Sequence, residues 1–169
     1  SGKSVVMWDE ENYYMCAVIT DDKHVNNRPA AENWNGDNMQ FGIFYGDGGF
    51  VAIGQANTTF HEISMALSSE TNEVTLYRFL SQDDSHPIGE IKDAKCAIKR
   101  EGNKTYYEFS MPWSKLLRPG DKPKEGDMLG YSFVINESDT EVREGYIQYA
   151  SGIAAAKDTS LFTYMMLLK

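Results

Sequence analysis

The residues best suited to contact a ligand are grouped around one tryptophan, in residues 34–45 (W-N-G-D-N-M-Q-F-G-I-F-Y). An indole at the junction of a loop and a strand presents a flat apolar face at little entropic cost. Asp37 and Gln40 place a carboxylate and an amide close to Trp34 in the chain. Ring and polar groups together predict a ligand platform. The alternative interpretation makes Trp34 an anchor of the core edge and Asp37 a cap for its own turn.

Two acidic loops, near residues 21 and 138, offer oxygen atoms suited to a hard cation. The candidate metal ligands are Asp21, Asp22, Asn136, Asp139 and Glu141. Calcium takes six to eight oxygen ligands, so either loop would need help from backbone or neighbouring groups. No D-x-D-x-D-G loop of the EF-hand type is present. The alternative is that both loops are simply solvated.

No pattern in the sequence predicts catalysis. Adjacent carboxylates occur at 10–11, 21–22 and 83–84, and neighbouring side chains on a chain diverge rather than face one scissile bond. The three histidines lack a serine or cysteine in a nucleophile context, and G-x-S-x-G is absent. We therefore expect a binding protein with no catalytic residue.

Short strand-like segments position these groups. Within residues 38–45 the apolar and polar positions alternate, so Gln40 and Tyr45 should lie on opposite faces of one strand. The clearest hairpin joins 95–100 to 105–110 through Gly-Asn, and G-D-G-G at 46–49 predicts a turn into a returning strand at 50–53. About ten such strands with hardly any helix predict one domain, an all-β antiparallel β-sandwich.

Composition limits the classes of partner. A formal charge of −9 argues against nucleic acid and anionic membrane surfaces, and the longest apolar run is too short to cross a bilayer. Cys16 and Cys96 occupy apolar positions in predicted strands, where a buried thiol is the default; they could form a disulfide if their strands pair. Trp8 and Trp113 are predicted to lie in the core.

Six segments, in order along nearly the whole chain, resemble family 9 carbohydrate-binding modules. The segments are 5–22 (V-V-M-W-D-E-E-N-Y-Y-M-C-A-V-I-T-D-D), 34–41 (W-N-G-D-N-M-Q-F), 106–116 (Y-Y-E-F-S-M-P-W-S-K-L), 130–139 (G-Y-S-F-V-I-N-E-S-D), 143–149 (R-E-G-Y-I-Q-Y) and 157–168 (K-D-T-S-L-F-T-Y-M-M-L-L). The resemblance implies a β-sandwich with structural calcium. It also implies a non-catalytic module of a secreted or cell-surface bacterial protein, joined to catalytic or surface-layer domains of the same polypeptide.

The resemblance also implies a site for a polysaccharide or oligosaccharide. The family's best-known members grip the reducing end of a glycan between two tryptophans, and Trp34 matches the first. Gln40 matches a polar residue that bonds sugar hydroxyls. Three departures matter: the second tryptophan would fall near Ala156, a family arginine near Ser64, and an early stretch with an I-D-G-like turn, the usual first strand, is absent.

These departures predict a one-sided platform. A pyranose would stack its C–H face on Trp34, or on another ring such as Tyr45 or Tyr149, while polar groups bond its hydroxyls. The candidate carbohydrate-binding residues are Trp34, Asp37, Gln40, Tyr45, Tyr149 and Lys157. Two alternatives stay open: a structural or adhesion module of a surface layer without a sugar site, and a haem-binding electron-transfer domain using methionines such as Met39 and Met65.

Overall fold

The computed structural model describes residues 1–45, 60–81, 84–140, 142–155 and 157–169. These residues form β-strands and short 3-10 helices, and none of their helices is long and apolar enough to cross a membrane. The strands are β1 (Gly2–Trp8), β2 (Asn12–Thr20), β3 (Asn38–Tyr45), β4 (His61–Leu67), β5 (Val74–Leu80), β6 (Gly89–Glu90), β7 (Lys95–Glu101), β8 (Lys104–Pro112), β9 (Met128–Glu137), β10 (Gly145–Gln148) and β11 (Thr163–Met166). The 3-10 helices are Ala30–Asn35, Trp113–Lys115 and Thr159–Leu161.

The strands build two antiparallel sheets, which confirms the predicted β-sandwich. The small sheet has the order β1-β2-β8-β7. The large sheet has the order β10-β9-β3-β4-β5-β6, with β11 pairing the first half of β9 while β10 pairs its second half. The predicted β7–β8 hairpin is present, and β1 and β2 form a second antiparallel hairpin. β3 therefore lies at the centre of the large sheet.

The main core fills the space between the sheets, and the alternation along β3 explains how that strand contributes to it. Met39 and Phe41 are fully buried there, and Tyr45 packs against the same cluster. The Phe41 ring contacts the ring of Phe109 in the opposite sheet, with centroids 5.2 Å apart. Met65, opposite Met39 on β4, is also fully buried. These two methionines are core residues, which removes the basis of the haem alternative.

The predicted core position is confirmed for Trp113, whereas Trp8 lies at the edge of the core. Trp113 is 3% exposed, and its indole N–H donates a 2.9 Å hydrogen bond to the Asp9 carbonyl. Trp8 is partly buried against the main core, and its indole N–H donates to the Leu168 carbonyl at 3.0 Å. The two indoles thus tie the β1–β2 region to later parts of the chain.

A second, smaller core covers the outer face of the large sheet. It consists of Phe44, Phe60, Val134, Ile153 and Phe162. Gly42 makes this packing feasible, because a Cβ there would lie 2.6 Å from Phe162 Cζ. As a result every residue of β4 is buried, since the sheet is covered on both faces along that strand.

The cysteine prediction is wrong for Cys16, which is exposed on β2, whereas Cys96 on β7 is half-buried. The two thiols are free. β8 separates their strands, so the pairing on which a disulfide depended does not occur. Two short elements, β6 and the 3-10 helix Ala30–Asn35, lie outside the segments predicted as strands. The predicted turn at 46–49 and strand at 50–53 lie outside the described residues.

Candidate functional site

A cleft of about 430 Å³ opens on the outer face of the large sheet, beside the second core. Its lining combines one exposed aromatic ring, an apolar wall and several charged or amide side chains. The lining residues are Trp34, Gln40, Glu62, Phe79, Leu80, Arg143, Ile153, Ala154 and Lys157. An apolar enclosure with a few convergent polar groups is the usual composition of a small-molecule site, and this volume lies within the usual range.

Five side chains form a continuous chain of hydrogen bonds along the cleft, which we call the polar ladder. Arg143 Nη1 donates to Asn136 Oδ1 at 3.2 Å, and Asn136 Nδ2 donates to Gln40 Oε1 at 2.6 Å. Gln40 Nε2 donates to Glu62 Oε1 at 2.9 Å. Lys157 Nζ donates to Glu62 Oε2 at 2.5 Å. The polar ladder fixes the orientation of each amide and leaves the remaining donors of its two cationic ends for a ligand.

Strand register explains the polar ladder. Asn136 on β9 lies opposite Asn38 on β3, and Glu62 on β4 lies opposite Gly42. Gln40, between Asn38 and Gly42 on the same face, is therefore a diagonal neighbour of both Asn136 and Glu62. β3 and β4 thus supply the polar floor of the cleft through Gln40 and Glu62, while Asn136 on β9 supports Gln40 from beside the cleft. Arg143 and Lys157 stand at the two ends of the polar ladder.

Glu62 and Lys157 form the one ion pair within the polar ladder. The Glu62 side chain is 1% exposed, whereas that of Lys157 is 40% exposed. Burial raises the pKa of Glu62 above its ordinary value, and the ammonium of Lys157 opposes that rise. Lys157 thereby favours the ionised form of a buried carboxylate at the base of the cleft.

Trp34 stands at one side of the cleft, at the end of the 3-10 helix Ala30–Asn35, and is 38% exposed. The Arg143 guanidinium lies over this indole, with Cζ 5.1 Å from the ring centroid, and over the Tyr146 ring at 5.4 Å. Both distances fit cation–π contacts. The backbone N–H of Arg143 donates to Asn35 Oδ1 at 3.0 Å, which ties the two segments together.

The structure brings three of the six predicted sugar-binding residues together: Trp34, Gln40 and Lys157 all line the cleft. Tyr45 lies elsewhere, packed against the main core with its hydroxyl donating to Asp127 Oδ2 at 2.7 Å. Tyr149 stacks on Phe133, with ring centroids 5.4 Å apart, and does not line the cleft.

Sequence reasoning missed the apolar wall of the cleft and two charged lining residues, Glu62 and Arg143. Nothing in the sequence marks Glu62 as a site residue, because an acidic residue in a short apolar strand is expected to face solvent. Arg143 belongs to the R-E-G-Y-I-Q-Y segment and could have been chosen from it. Ser64, the position where the family arginine was expected, donates its hydroxyl to Asn33 Oδ1 inside the protein. Ala156, the position of the second tryptophan, lies outside the described residues.

Asp37, the sixth predicted sugar ligand, belongs to a second small cavity of about 30 Å³ at the edge of the main core. Ligand atoms of Asp21, His24 and Asp37 lie within 4.8 Å of one another there. The Asp37 carboxylate accepts backbone N–H groups of Val25 at 2.7 Å and Ser138 at 2.9 Å. This second cavity therefore gathers negative charge away from the cleft.

Burial raises the pKa of Asp37 to about 7, and the nearby carboxylates of Asp21 and Glu137 add to the rise. The two backbone hydrogen bonds oppose it. Part of the local charge is already balanced, because Arg100 Nη1 lies 3.3 Å from Asp21 Oδ2. Glu137 also lines this cavity.

The other predicted metal ligands are distributed differently. Asn136 lines the second small cavity with Asp21, although its amide belongs to the polar ladder, and Asp22 and Asp139 lie outside the Asp21–His24–Asp37 group. The Asp139 backbone carbonyl accepts a hydrogen bond from Lys23 Nζ. Glu141 lies outside the described residues.

A family model described as "Carbohydrate family 9 binding domain-like" matches residues 1–169. The chain belongs to this family. It is a non-catalytic carbohydrate-binding module, a family 9 module, as its segments predicted. No curated protein sequence matches it.

Solved structures resemble the family 9 module over almost its whole length. One is a family 9 module from Caldicellulosiruptor kristjanssonii in complex with cellotriose, with 18% identity and a TM-score of 0.71, covering 99% of this chain and 74% of that one. The glucose complex of a family 9 module from the same organism has 18% identity and a TM-score of 0.70, and the match covers 98% of this chain and 75% of that one. A proposed carbohydrate-binding protein from Bacteroides uniformis has 5% identity and a TM-score of 0.57, and the match covers 98% of this chain and 78% of that one. At these identities the likeness shows the fold.

Proposed function

We propose that the cleft on the outer face of the large sheet is the sugar site, and that it holds part of a plant or bacterial polysaccharide or oligosaccharide. The observation that carries this proposal is the exposed Trp34 indole beside the polar ladder. A pyranose has an apolar C–H face for the ring and hydroxyls for the amide and carboxylate groups. Cellotriose and glucose, the ligands of the two similar structures, are sugars of this kind.

The proposal gives each lining residue a role. Trp34 offers the part of its ring that Arg143 leaves open. Gln40 and Glu62 lie at the floor, where their positions are fixed before a ligand arrives, so binding orders few additional side chains. Lys157 pairs with Glu62, favours its ionised form and offers its remaining donors to hydroxyls.

The test is a binding isotherm against a panel of soluble glycans that includes cellotriose and glucose. We expect Trp34→Ala to weaken the best ligand at least about tenfold, since stacking on a large aromatic ring is a typical binding anchor. Tyr149→Ala is the matched control, because it removes an exposed ring outside the cleft and should leave affinity unchanged. The proposal fails if no glycan binds, or if Tyr149→Ala weakens binding and Trp34→Ala does not.

We also propose a structural calcium ion at the second small cavity. Asp21, Asp37 and Glu137 would supply hard oxygen ligands there, and a cation would offset the burial, and the lesser repulsion from nearby carboxylates, that raise the pKa of Asp37. His24 is not a preferred calcium ligand, and its Nε2 is within hydrogen-bonding distance of the Leu67 carbonyl, at 2.9 Å. Calcium should raise the melting temperature relative to chelator, and Asp37→Asn should abolish the difference. Equal melting temperatures in the unmodified module would contradict a structural ion.

At the level of the whole protein, we propose that the family 9 module delivers an attached catalytic or surface-layer domain to its glycan outside a bacterial cell. Family membership supports this role, because such modules act as accessories. A fusion of the module to a reporter protein should be retained on the insoluble form of its best soluble ligand. A Trp34→Ala fusion that is retained equally well would show that the cleft does not perform this targeting.

A further inference from the structure

Arg143 differs from Lys157, the other cationic residue that lines the cleft, because no carboxylate of the described residues pairs with it. Lys157 is paired with the buried carboxylate of Glu62 at 2.5 Å. Within the described ranges, no carboxylate lies within ion-pair distance of the Arg143 guanidinium, whose contacts are the neutral Asn136 amide and two rings. The polar ladder therefore carries one net positive charge, located at Arg143.

The surroundings of Arg143 hold it in position. The guanidinium lies against the rings of Trp34 and Tyr146, and its Nη1 is fixed by Asn136 at 3.2 Å. Packing against two rings restricts the side chain and strips part of its hydration, which strengthens its attraction for an anion. Arginine in such a setting matches the two oxygens of a carboxylate through a pair of parallel N–H donors.

We propose that the module selects glycans that carry a carboxylate, namely uronic acid residues, and that Arg143 binds this carboxylate while the same sugar lies against Trp34. The inference rests on the cleft being the sugar site. The cleft contains one acidic lining residue, Glu62, which Lys157 neutralises, so no unpaired lining carboxylate repels the ligand among the described residues.

The overall charge of −9 does not oppose this specificity strongly. At physiological ionic strength the screening length is about 8 Å, so exposed carboxylates beyond that distance contribute little to the potential at the cleft. A guanidinium in direct contact with the ligand is screened much less. The local charge of the cleft therefore decides which sugar is preferred.

The test compares ligands that differ in charge and share a skeleton. The first pair is a galacturonic acid trisaccharide and its fully methyl-esterified form, and the second is glucuronic acid and its methyl ester. We expect at least one acid to bind about 10- to 100-fold more tightly than its ester, which is the usual range for a charge-assisted pair. Arg143→Gln should bring acid and ester to within about twofold of each other, and Arg143→Lys should retain part of the preference.

Tyr149→Ala should keep the full preference for the acid, and melting temperatures of all variants would show that they fold. Equal binding of acid and ester, or tighter binding of cellotriose than of any uronate, would overturn the inference. If cellotriose binds and depends on Trp34, the cleft remains the sugar site and only the specificity is wrong. If neither class of glycan binds, the proposed sugar site fails and the inference fails with it.

Discussion

Replacing Lys157 by methionine tests whether the ion pair at the base of the cleft contributes to folding. Glu62 is 1% exposed and would lose its cationic partner, while its hydrogen bond from Gln40 would remain. Removing one partner of a fully buried pair costs about 3–5 kcal/mol, whereas exposed pairs contribute about 0–1 kcal/mol. Lys157 is 40% exposed, so water screens the pair in part. We expect Lys157→Met to lower the free energy of unfolding by about 1–3 kcal/mol at pH 8.

The loss should depend on pH in a defined direction. Burial already raises the pKa of folded Glu62 above its ordinary value of 4.5, and removing Lys157 raises it further. A carboxyl group with a raised pKa binds more protons in the folded state, so its contribution to stability is present at low pH and lost as pH rises. The unmodified module and the variant should therefore converge in stability at low pH, where Glu62 is protonated in both. Urea denaturation followed by tryptophan fluorescence between pH 4 and pH 8 measures this.

Two further variants separate charge from packing. Lys157→Met combined with Glu62→Gln should recover most of the loss, because Gln removes the buried charge while keeping a partner for Gln40. Lys99→Met makes the same charge change in an exposed pair with Glu101, where the side chains are 72% and 56% exposed, and should leave stability unchanged. If Lys157→Met costs as much at pH 4 as at pH 8, the lost contribution comes from its aliphatic stem rather than its charge.

Two more predictions concern stability. With chelator present, the free energy of unfolding should fall as pH rises from about 5 to 7, because the pKa of Asp37 in the folded protein, about 7, lies above its ordinary value of 3.8. The slope should reach at most about 1.4 kcal/mol per pH unit. Denaturation curves with Asp37→Asn as reference would show this slope, and a difference that does not change with pH would contradict it. Gly42→Ala should lower unfolding free energy by about 1–3 kcal/mol, because its Cβ would lie 2.6 Å from Phe162 Cζ. Gly145→Ala, with open space around its Cβ, should be neutral, and equal effects of both on denaturation midpoints would refute the packing explanation.

The fold was predictable because its signals are local. Alternation along β3 assigned Met39 and Phe41 to the core, and Gly-Asn identified the β7–β8 hairpin. The same alternation already separated Tyr45 from Gln40, since odd and even positions of one strand face opposite sides. Whether a residue of β3 has an odd or an even number therefore indicates better than its aromatic character whether it can reach the cleft.

The candidate site was harder to predict because it depends on which distant segments meet. Trp34 and Gln40 are neighbours in the chain, whereas Glu62 reaches the cleft through the pairing of β3 with β4, and Arg143 through the turn before β10. Alternation gives the face of a residue but not the identity of the strand beside it. The same limit applies to the two acidic loops: Asp21 and Asn136 line one cavity together with Asp37, a grouping that spacing along the chain does not give, and Asn136 turns its amide toward β3.

The second core determines how rigid the sugar site can be. Because β3 and β4 are covered on both faces, their backbone amides should be among the slowest in the molecule to exchange with solvent. The side chains of the floor thus rest on the most protected strands, while Arg143, Ile153 and Lys157 come from connecting segments near the surface. Changing Arg143 should therefore alter the glycan preference with little effect on these strands, whereas Ile153 and Lys157 also contribute to folding, through the second core and the ion pair with Glu62.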